Sequence, residues 1–408
     1  MGRRVVVTGL GIVSPIGNNV PEFWNSLENG ISGIDWVKAF DASEYHSKVA
    51  GEVKNFDPTQ YMDRKEARRT SRFIQLAVAS ATQAIEDSGL NPDEIPPYRS
   101  GVVYGVGMGA LDLIEEQHKV LLNKGPRRVS PFFIPMTISN MASGTLAIKF
   151  GFKGVNITVT TACASSTNAI GEAYRMIRDG ILDVALTGGA ESTITPLAFA
   201  GFGSMTALST KPPDEACRPF DANRDGFIIA EGSATLVLEE YEHAKKRGAK
   251  IYAEIAGYGA TDDANHMTAP DLEGTSAAMA MRLALESAKV NPEEVDYINA
   301  HGTSTPLNDK TETRAIKKVF GKRKDLNISS TKSMHGHALG AAGALEAVAT
   351  VLAIINETVP PTINLKTPDP ECDLNYTPNT AVKKKIRCAL SNSFGFGGHN
   401  ASVLFKRI

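Results

Sequence analysis

Residues 155–170 read VNITVTTACASSTNAI, a β-branched apolar run that breaks into a turn of small residues and continues as a helix-forming stretch. A strand that ends in a short turn and is followed at once by a helix is the building unit of an α/β fold. Cys163 stands where that helix begins. There the free N–H groups and the helix dipole favour thiolate over thiol, and the same N–H groups can receive an oxyanion formed at an attacked carbonyl. Cys163 is therefore a candidate nucleophile. Cys217, Cys372 and Cys388 lack this setting and read as small buried hydrophobes.

Working outward, the same unit recurs at residues 327–347, NISSTKSMHGHALGAAGALEA, again strand, turn and Gly/Ala-rich helix. In the first half, strands are expected over 4–8, 101–104, 156–160, 184–187 and 234–238, with helices over 71–88, 138–150 and 164–179. The order then starts again, with strands over 251–258, 295–299, 327–330, 387–391 and 402–406 and helices over 276–290, 309–320 and 338–355. Both halves read βαβαβαββ, which predicts one duplicated unit divided into residues 1–250 and 251–408. Strand–helix alternation predicts mainly parallel strands covered by helices on both faces. Insertions at 20–70, 107–135 and 190–230 have the length of lids or interfaces.

Lys332 and His337 lie near the second turn, and His301, in YINAHGTST, ends the neighbouring strand. Ligands of open α/β sheets gather outside the carboxyl ends of strands. Cys163, His301, Lys332 and His337 are thus predicted to converge where the two halves meet.

Composition narrows the function. Of 408 residues, 42% are hydrophobic and 22% charged, the profile of a soluble globular protein with a large core. With 43 basic and 45 acidic residues, no protein-wide basic field exists, so no nucleic-acid partner is expected. Four scattered cysteines without a CxxC pair suit a reducing compartment, and Arg3-Arg4 leads straight into VVVTG without a targeting or membrane segment; a cytoplasmic location is expected. The 36 glycines cluster at the ends of apolar runs, as in TGLG, YGVGMG, TGGAE and SFGFGGHN, which reads as close backbone approach rather than linker. Three motifs mislead. DANRDG lacks the spacing of a calcium loop, GVGMGA lacks the acidic partner of a dinucleotide site, and His335-Gly-His337 lacks further metal ligands.

Taken in order, VVVTGLGIVSPIG, RRVSPFFIPM, TACASSTNAIG, FDANRDGF, NAHGTSTPLND, STKSMHGHALGAAGALEA and SNSFGFGGHN resemble the β-ketoacyl-acyl-carrier-protein synthases of the thiolase superfamily, specifically its elongating condensing enzymes. The resemblance spans nearly the whole chain. It implies a thiolase-like, five-layered α-β-α-β-α fold, and an acyltransferase that joins acyl and malonyl carrier-protein thioesters with loss of carbon dioxide in fatty acid elongation. Cys163 would accept the acyl group. His301 and His337 would stabilise the enolate, and the N–H groups of Cys163 and Phe396 the tetrahedral oxyanion. Lys332 would orient the histidines through Glu346. No metal, nicotinamide or flavin would be required, and phosphopantetheine would enter on the carrier-protein substrate.

By the same resemblance, Thr268, Thr303 and Thr305 would bind the phosphopantetheine arm, Phe394 and Phe396 would gate the acyl pocket, and Met108 would limit its depth. Asn299, Glu346, Ser391 and Asn392 match a monovalent-cation site for Na+ or K+. Acidic acyl carrier protein would dock on Lys65, Arg68, Arg69 and Arg72 of DRKEARRTSR and on Lys124, Arg127 and Arg128 of NKGPRRVS; a homodimer is also implied. Thr206 departs from the Arg or Lys common in relatives, and Ala230 and Ser233 from Gly and Ala. Thiolases carry a second catalytic cysteine in the C-terminal glycine loop, and SFGFGGHN has none. Scaffold subunits of polyketide assemblies lose the nucleophile, which is intact here. CASS differs from the usual fatty-acid and polyketide variants alike, so a polyketide-type catalytic synthase is the nearer alternative.

Overall fold

In the computed structural model, which describes residues 2–408, ten strands hydrogen-bond into one sheet. The first half supplies β1 (Val5–Val13), β2 (Ser100–Gly105), β3 (Asn156–Val159), β4 (Val184–Glu191) and β5 (Gly232–Glu240). The second supplies β6 (Ala253–Asp262), β7 (Tyr297–Asn299), β8 (Asn327–Ser329), β9 (Cys388–Gly395) and β10 (His399–Lys406). Across the sheet the order is β8-β7-β9-β10-β6-β1-β5-β4-β2-β3. Counted outward from the central β1–β6 seam, each half lays down its strands in the same sequence, first, fifth, fourth, second, third.

The expectation of mainly parallel strands needs correction. Parallel pairing is confined to the two outer ends, β8–β7–β9 and β4–β2–β3. Everything between is antiparallel, including the seam, where Val5, Val6 and Val7 face Ile255, Glu254 and Ala253. The cause is the pair of strands closing each half: β9 returns as β10 through a tight turn, which only antiparallel strands can do, and β4 returns as β5 after the long 190–230 insertion. Each fifth strand then lies beside its own first strand.

Four long helices complete the layers: α1 (Arg72–Ser88), α2 (Ser165–Arg178), α3 (Thr275–Ala288) and α4 (Ala342–Asn356). The outer helices are seated by glycine in the same way on both sides. A methyl group at Gly9 or Gly11 of β1 would collide with the carbonyl oxygens of Ala84 or Ser80 on α1. At Gly257 or Gly259 of β6 it would collide with those of Ala284 or Ala280 on α3. Glycine is thus required by backbone-to-backbone contact, and the two halves repeat it residue for residue. Between the half-sheets lie α2 and α4, packed on each other and touching strands of both halves. Every residue of α4 from Ala342 to Ile354 is buried. The segment Leu339–Asn356 has a mean hydropathy of 1.7, enough for a membrane span, yet 89% of it lies inside the protein as the central core. Burying each large aliphatic side chain here contributes roughly 1.5–3 kcal/mol. The result is helix, sheet, helix pair, sheet, helix: a five-layered α/β fold.

The 190–230 insertion straps the halves together. Asp221 accepts the N–H groups of Lys366 and Thr367 at 2.8 and 2.7 Å, Arg224 donates to Asp369 at 2.8 Å, and Phe220 stacks on Tyr376 with ring centroids 3.7 Å apart. DANRDG is a structural tie.

Candidate active site

Cys163 sits on a tight turn, Ala162–Ala164, between β3 and α2. Ala162 adopts a left-handed conformation (φ 49°), a strain of roughly 1–2 kcal/mol for a residue with a Cβ. The turn is held by Ser165, whose Oγ accepts the Thr161 N–H at 2.9 Å and donates to the Ala162 carbonyl at 2.6 Å. The strain aims the Cys163 side chain and the backbone N–H groups into a cavity of about 610 Å³.

The second half brings the other groups to the same cavity. Lys332 begins a one-turn helix (Lys332–His335) just beyond β8, and His301 follows β7. The Lys332 ammonium donates to the His301 carbonyl at 2.7 Å, lies 3.4 Å from His301 Nδ1, and pairs with the Glu346 carboxylate of α4. Both Lys332 and Glu346 are fully buried. The rings of His301 and His337 stand 5.4 Å apart at 85°, braced by Phe394 at 5.8 Å from His301 and Phe227 at 5.4 Å from His337. Cys163, His301 and His337 line the cavity, while Lys332 and Glu346 lie behind the histidines. Met108, Thr268, Thr303, Thr305, Phe394 and Phe396 line it as well.

Electrostatics set the resting protonation. Burial pushes the Cys163 thiol up to about 12, against the pull of the Lys332 charge and of the Phe396 and Cys163 N–H groups, which point at the sulfur. The expectation that the helix start favours thiolate is thereby corrected: desolvation outweighs it, and the free site holds a thiol. Burial and the Lys332 cation hold His301 and His337 well below the usual imidazole range, so both are neutral at pH 7. Burial raises Glu346 to about 7, opposed by Lys332. A neutral thiol, two neutral imidazoles able to donate hydrogen bonds, and a pair of N–H groups at the sulfur suit acyl transfer through a thioester.

Comparison with known proteins gives the family. Residues 2–244 match the family described as Beta-ketoacyl synthase, N-terminal domain, and residues 252–366 its C-terminal domain. The chain belongs to the β-ketoacyl synthase family. It is 52% identical over 408 residues to 3-oxoacyl-acyl-carrier-protein synthase 2 of Synechocystis sp., covering 99% of this chain and 98% of that one. The corresponding protein of Vibrio harveyi is 50% identical over 410 residues, covering 100% and 99%. Among solved structures, a ketosynthase in complex with its type II polyketide acyl-carrier protein superposes with a TM-score of 0.92 at 38% identity over all of both chains. A β-ketoacyl synthase from Burkholderia phymatum does so at 0.93 and 38%, again over all of both chains. The protein is a condensing acyltransferase with a thiolase-like fold.

Other residues singled out by sequence have mixed fates in this β-ketoacyl synthase. Thr303 and Thr305 share a hydrogen bond at 2.9 Å, and Thr305 also caps the Pro306–Phe320 helix. Thr268 is exposed at the mouth. Thr206 is exposed there too, in a left-handed conformation (φ 53°). For the cation site the residues fit in part. Asn299 Oδ1, Glu346 Oε2 and Ser391 Oγ are buried without a hydrogen-bond partner among the described residues. They are neighbours, since Asn299 pairs with Ser391 across β7 and β9, and its amide reaches the Glu346 carbonyl at 3.4 Å. Three orphaned oxygens suit a hard monovalent cation. The side chain of Asn392 is committed elsewhere, accepting from Ser402 at 2.7 Å.

Lys65, Arg68, Arg69, Lys124, Arg127 and Arg128 are exposed and make no salt bridge among the described residues. Arg69 covers the Phe132 ring at 4.7 Å, so the two basic insertions lie side by side. Arg72 leaves the patch: Glu231 holds its guanidinium at 2.6 Å. Ser233 joins a buried hydroxyl cluster with Ser80 and Tyr104, at 2.8 and 2.9 Å. The sequence reading missed Glu191, a fully buried carboxylate at the end of β4 whose neighbours come from residues 107–109 and 340.

Proposed function

We propose that this protein condenses an acyl group with malonyl-acyl-carrier protein to give 3-oxoacyl-carrier protein and carbon dioxide, as in fatty acid elongation. The reading is carried by the convergence on one cavity of Cys163, with two N–H groups at its sulfur, and of two neutral histidines braced by buried Lys332. In the first half-reaction the Cys163 sulfur attacks the acyl thioester carbonyl. The N–H groups of Cys163 and Phe396 hold the oxyanion, and the pantetheine thiolate leaves and takes the proton the cysteine gives up. In the second, the malonyl C–C bond breaks and carbon dioxide departs. The enolate oxygen accepts hydrogen bonds from His301 and His337. The carbanion then attacks the acyl-cysteine, the same N–H pair holds the second oxyanion, and the Cys163 thiolate leaves and takes a proton from solvent water. Removing one oxyanion donor costs roughly 10²–10³ in kcat in other acyl-transfer enzymes.

Lys332 acts through the histidine scaffold, fixing His301 by its carbonyl. Glu346, Asn299 and Ser391 would hold Na+ or K+, which would balance the carboxylate behind Lys332. The apolar wall near Met108 and Phe396 takes the acyl chain, and Thr303, Thr305 and Thr268 take the pantetheine arm. The basic insertions receive acyl carrier protein. Edge strand β3, with Ile157 exposed, and neighbouring exposed Ile134, Ile138 and Ile148 support pairing with a second copy as a homodimer. Four free cysteines support residence in the reducing cytoplasm. The test mixes purified protein with acyl- and malonyl-carrier proteins and detects product by mass. A two-carbon-longer 3-oxoacyl carrier is expected, and its absence with active carriers overturns the reading.

A further inference from the structure

The loop over residues 301–305, which follows β7, carries His301 at one end and the threonine pair at the other. Its two ends are anchored by separate sets of groups. At the first end, the His301 carbonyl accepts from Lys332 at 2.7 Å and the Gly302 carbonyl from Ser330 at 2.7 Å. The N–H groups of His301 and Gly302 each donate to Glu312 at 2.8 Å. All of these partners belong to the second half. At the other end the partners come from the 190–230 insertion, in and beside the DANRDG motif.

Ser304 is the strained point of this second end, a fully buried residue with a Cβ in a left-handed conformation (φ 67°). Its hydroxyl accepts the Arg218 N–H at 3.0 Å, and its carbonyl accepts the Gly226 N–H at 3.1 Å. Arg224 fixes the next two peptide groups. Its Nε donates to the Thr305 carbonyl at 3.1 Å and its Nη2 to the Pro306 carbonyl at 3.0 Å. Its Nη1 donates to the Asp221 carbonyl at 2.7 Å and to Asp369 at 2.8 Å, and Asp309 lies 3.3 Å from Nε. The guanidinium is only 2% exposed and stands behind the cavity wall, not in it. A planar fork of donors meets this set of carbonyls and carboxylates in a way that a point charge does not.

The consequence falls on the threonines. Thr305 Oγ1 accepts the Asn308 N–H as a helix cap and shares a hydrogen bond with Thr303 Oγ1 at 2.9 Å. Each hydroxyl has one hydrogen, and one of the two lies in the bond between them, so a single O–H is left to face the cavity. That is the complement of one amide carbonyl. We propose that Arg224 is a positioning residue for recognition of the pantetheine arm: by fixing Thr305 and Pro306 it aims this one hydroxyl at an amide carbonyl of the arm. Arg224 therefore acts on substrates that carry the amide. The chemistry at His301 keeps its own anchors, Lys332, Glu312 and Ser330, none of which hydrogen-bonds Arg224. The inference rests on the reading of Thr303 and Thr305 as the site of the arm.

The experiment follows acylation of Cys163 by intact-protein mass, using the hexanoyl thioesters of pantetheine and of butanethiol. Both present the same acyl group and sulfur, and only the first has an amide. The parent protein is expected to prefer the pantetheine thioester in kcat/KM. In Arg224→Lys the positive charge stays beside Asp309 and Asp369, but the planar fork that spans the two carbonyls is lost. Its kcat/KM with the pantetheine thioester is expected to fall about tenfold, the worth of one hydrogen bond, and that with the butanethiol thioester to stay within about twofold of the parent. A merely structural role would lower both together. Ser304→Ala removes the hydroxyl that accepts the Arg218 N–H and leaves the guanidinium in place. It is expected to show a smaller loss, again confined to the pantetheine thioester, and it carries the test alone if the lysine variant fails to fold. Equal losses on both thioesters, or no loss on either, overturn the proposal. A parent protein that takes the acyl group equally well from both thioesters overturns the reading of the threonines as the arm site, and the proposal with it.

Discussion

Replacing Lys332 by methionine tests the electrostatic frame behind the histidines. The substitution roughly preserves length and removes the charge from a fully buried pair with Glu346. Breaking one partner of such a pair costs about 3–5 kcal/mol, and the His301 carbonyl, which accepts from Lys332 at 2.7 Å, also loses its donor. The cost depends on pH with a definite sign. Glu346 already titrates near 7 against an ordinary 4.5, so the folded state binds its proton more tightly than the unfolded state. Stability drawn from a raised carboxyl is lost as pH rises between those values. Without Lys332 the carboxyl rises further, and each added unit costs about 1.4 kcal/mol at alkaline pH. Lys332→Met should therefore be about 3–5 kcal/mol less stable than the parent at pH 8 and nearer 1–3 kcal/mol at pH 6. Lys332→Met/Glu346→Leu should recover most of the pH 8 loss, since an apolar pair can replace a buried ion pair. Urea unfolding followed by tryptophan fluorescence and circular dichroism together gives the numbers, the coincidence of the two probes serving as the two-state check. A deficit independent of pH, or a double variant no more stable than the single one, would refute the reasoning.

Three further outcomes are expected. Cys163→Ala should give no covalent acyl adduct by intact-protein mass while its thermal midpoint stays close to the parent's; a persistent adduct would move the nucleophile elsewhere. Gly343→Ala should lose about 1–3 kcal/mol in chemical unfolding, because its methyl would collide with Thr167 Oγ1 and lie 3.0 Å from Ser393 Oγ. Thr167→Ala should relieve part of that loss when combined with it. Arg127→Glu/Arg128→Glu should raise KM for carrier-linked substrate about tenfold at low salt and much less at high salt, leaving free pantetheine thioesters unaffected; an equal effect on both substrates would place the arginines outside a docking surface.

What could be read in the sequence follows from locality. Strand, turn and helix around Cys163 lie within sixteen consecutive residues, and the repeat of that unit around Lys332 and His337 within twenty-one, so the reactive groups were visible as motifs. The repeated order of elements likewise announced a duplicated fold. Strand direction was less visible, because it depends on where each half's last strand inserts, beside its own first strand, and that is a long-range choice. Arg72 sits in a basic run and looks free until Glu231, 159 residues away, takes its guanidinium. Glu191 gave no signal beyond an acidic residue ending TGGAE, since all its partners are backbone amides, which carry no side-chain signature. The helix expected from Ala338 begins at Ala342 instead, because Leu339 and Gly340 are spent on the turn.

The β1–β6 seam places the two reactive half-sites on one hydrogen-bonded lattice. Antiparallel pairing crosses that line, so the sheet ties the strand ends that carry the sulfur to those that carry the imidazoles. The pieces free to vary are the loops that border the cavity, among them 107–109 and the glycine turn at Gly397 and Gly398. The glycine turn also carries the Phe396 N–H that points at the sulfur, so one loop borders the cavity and serves the reacting centre at once.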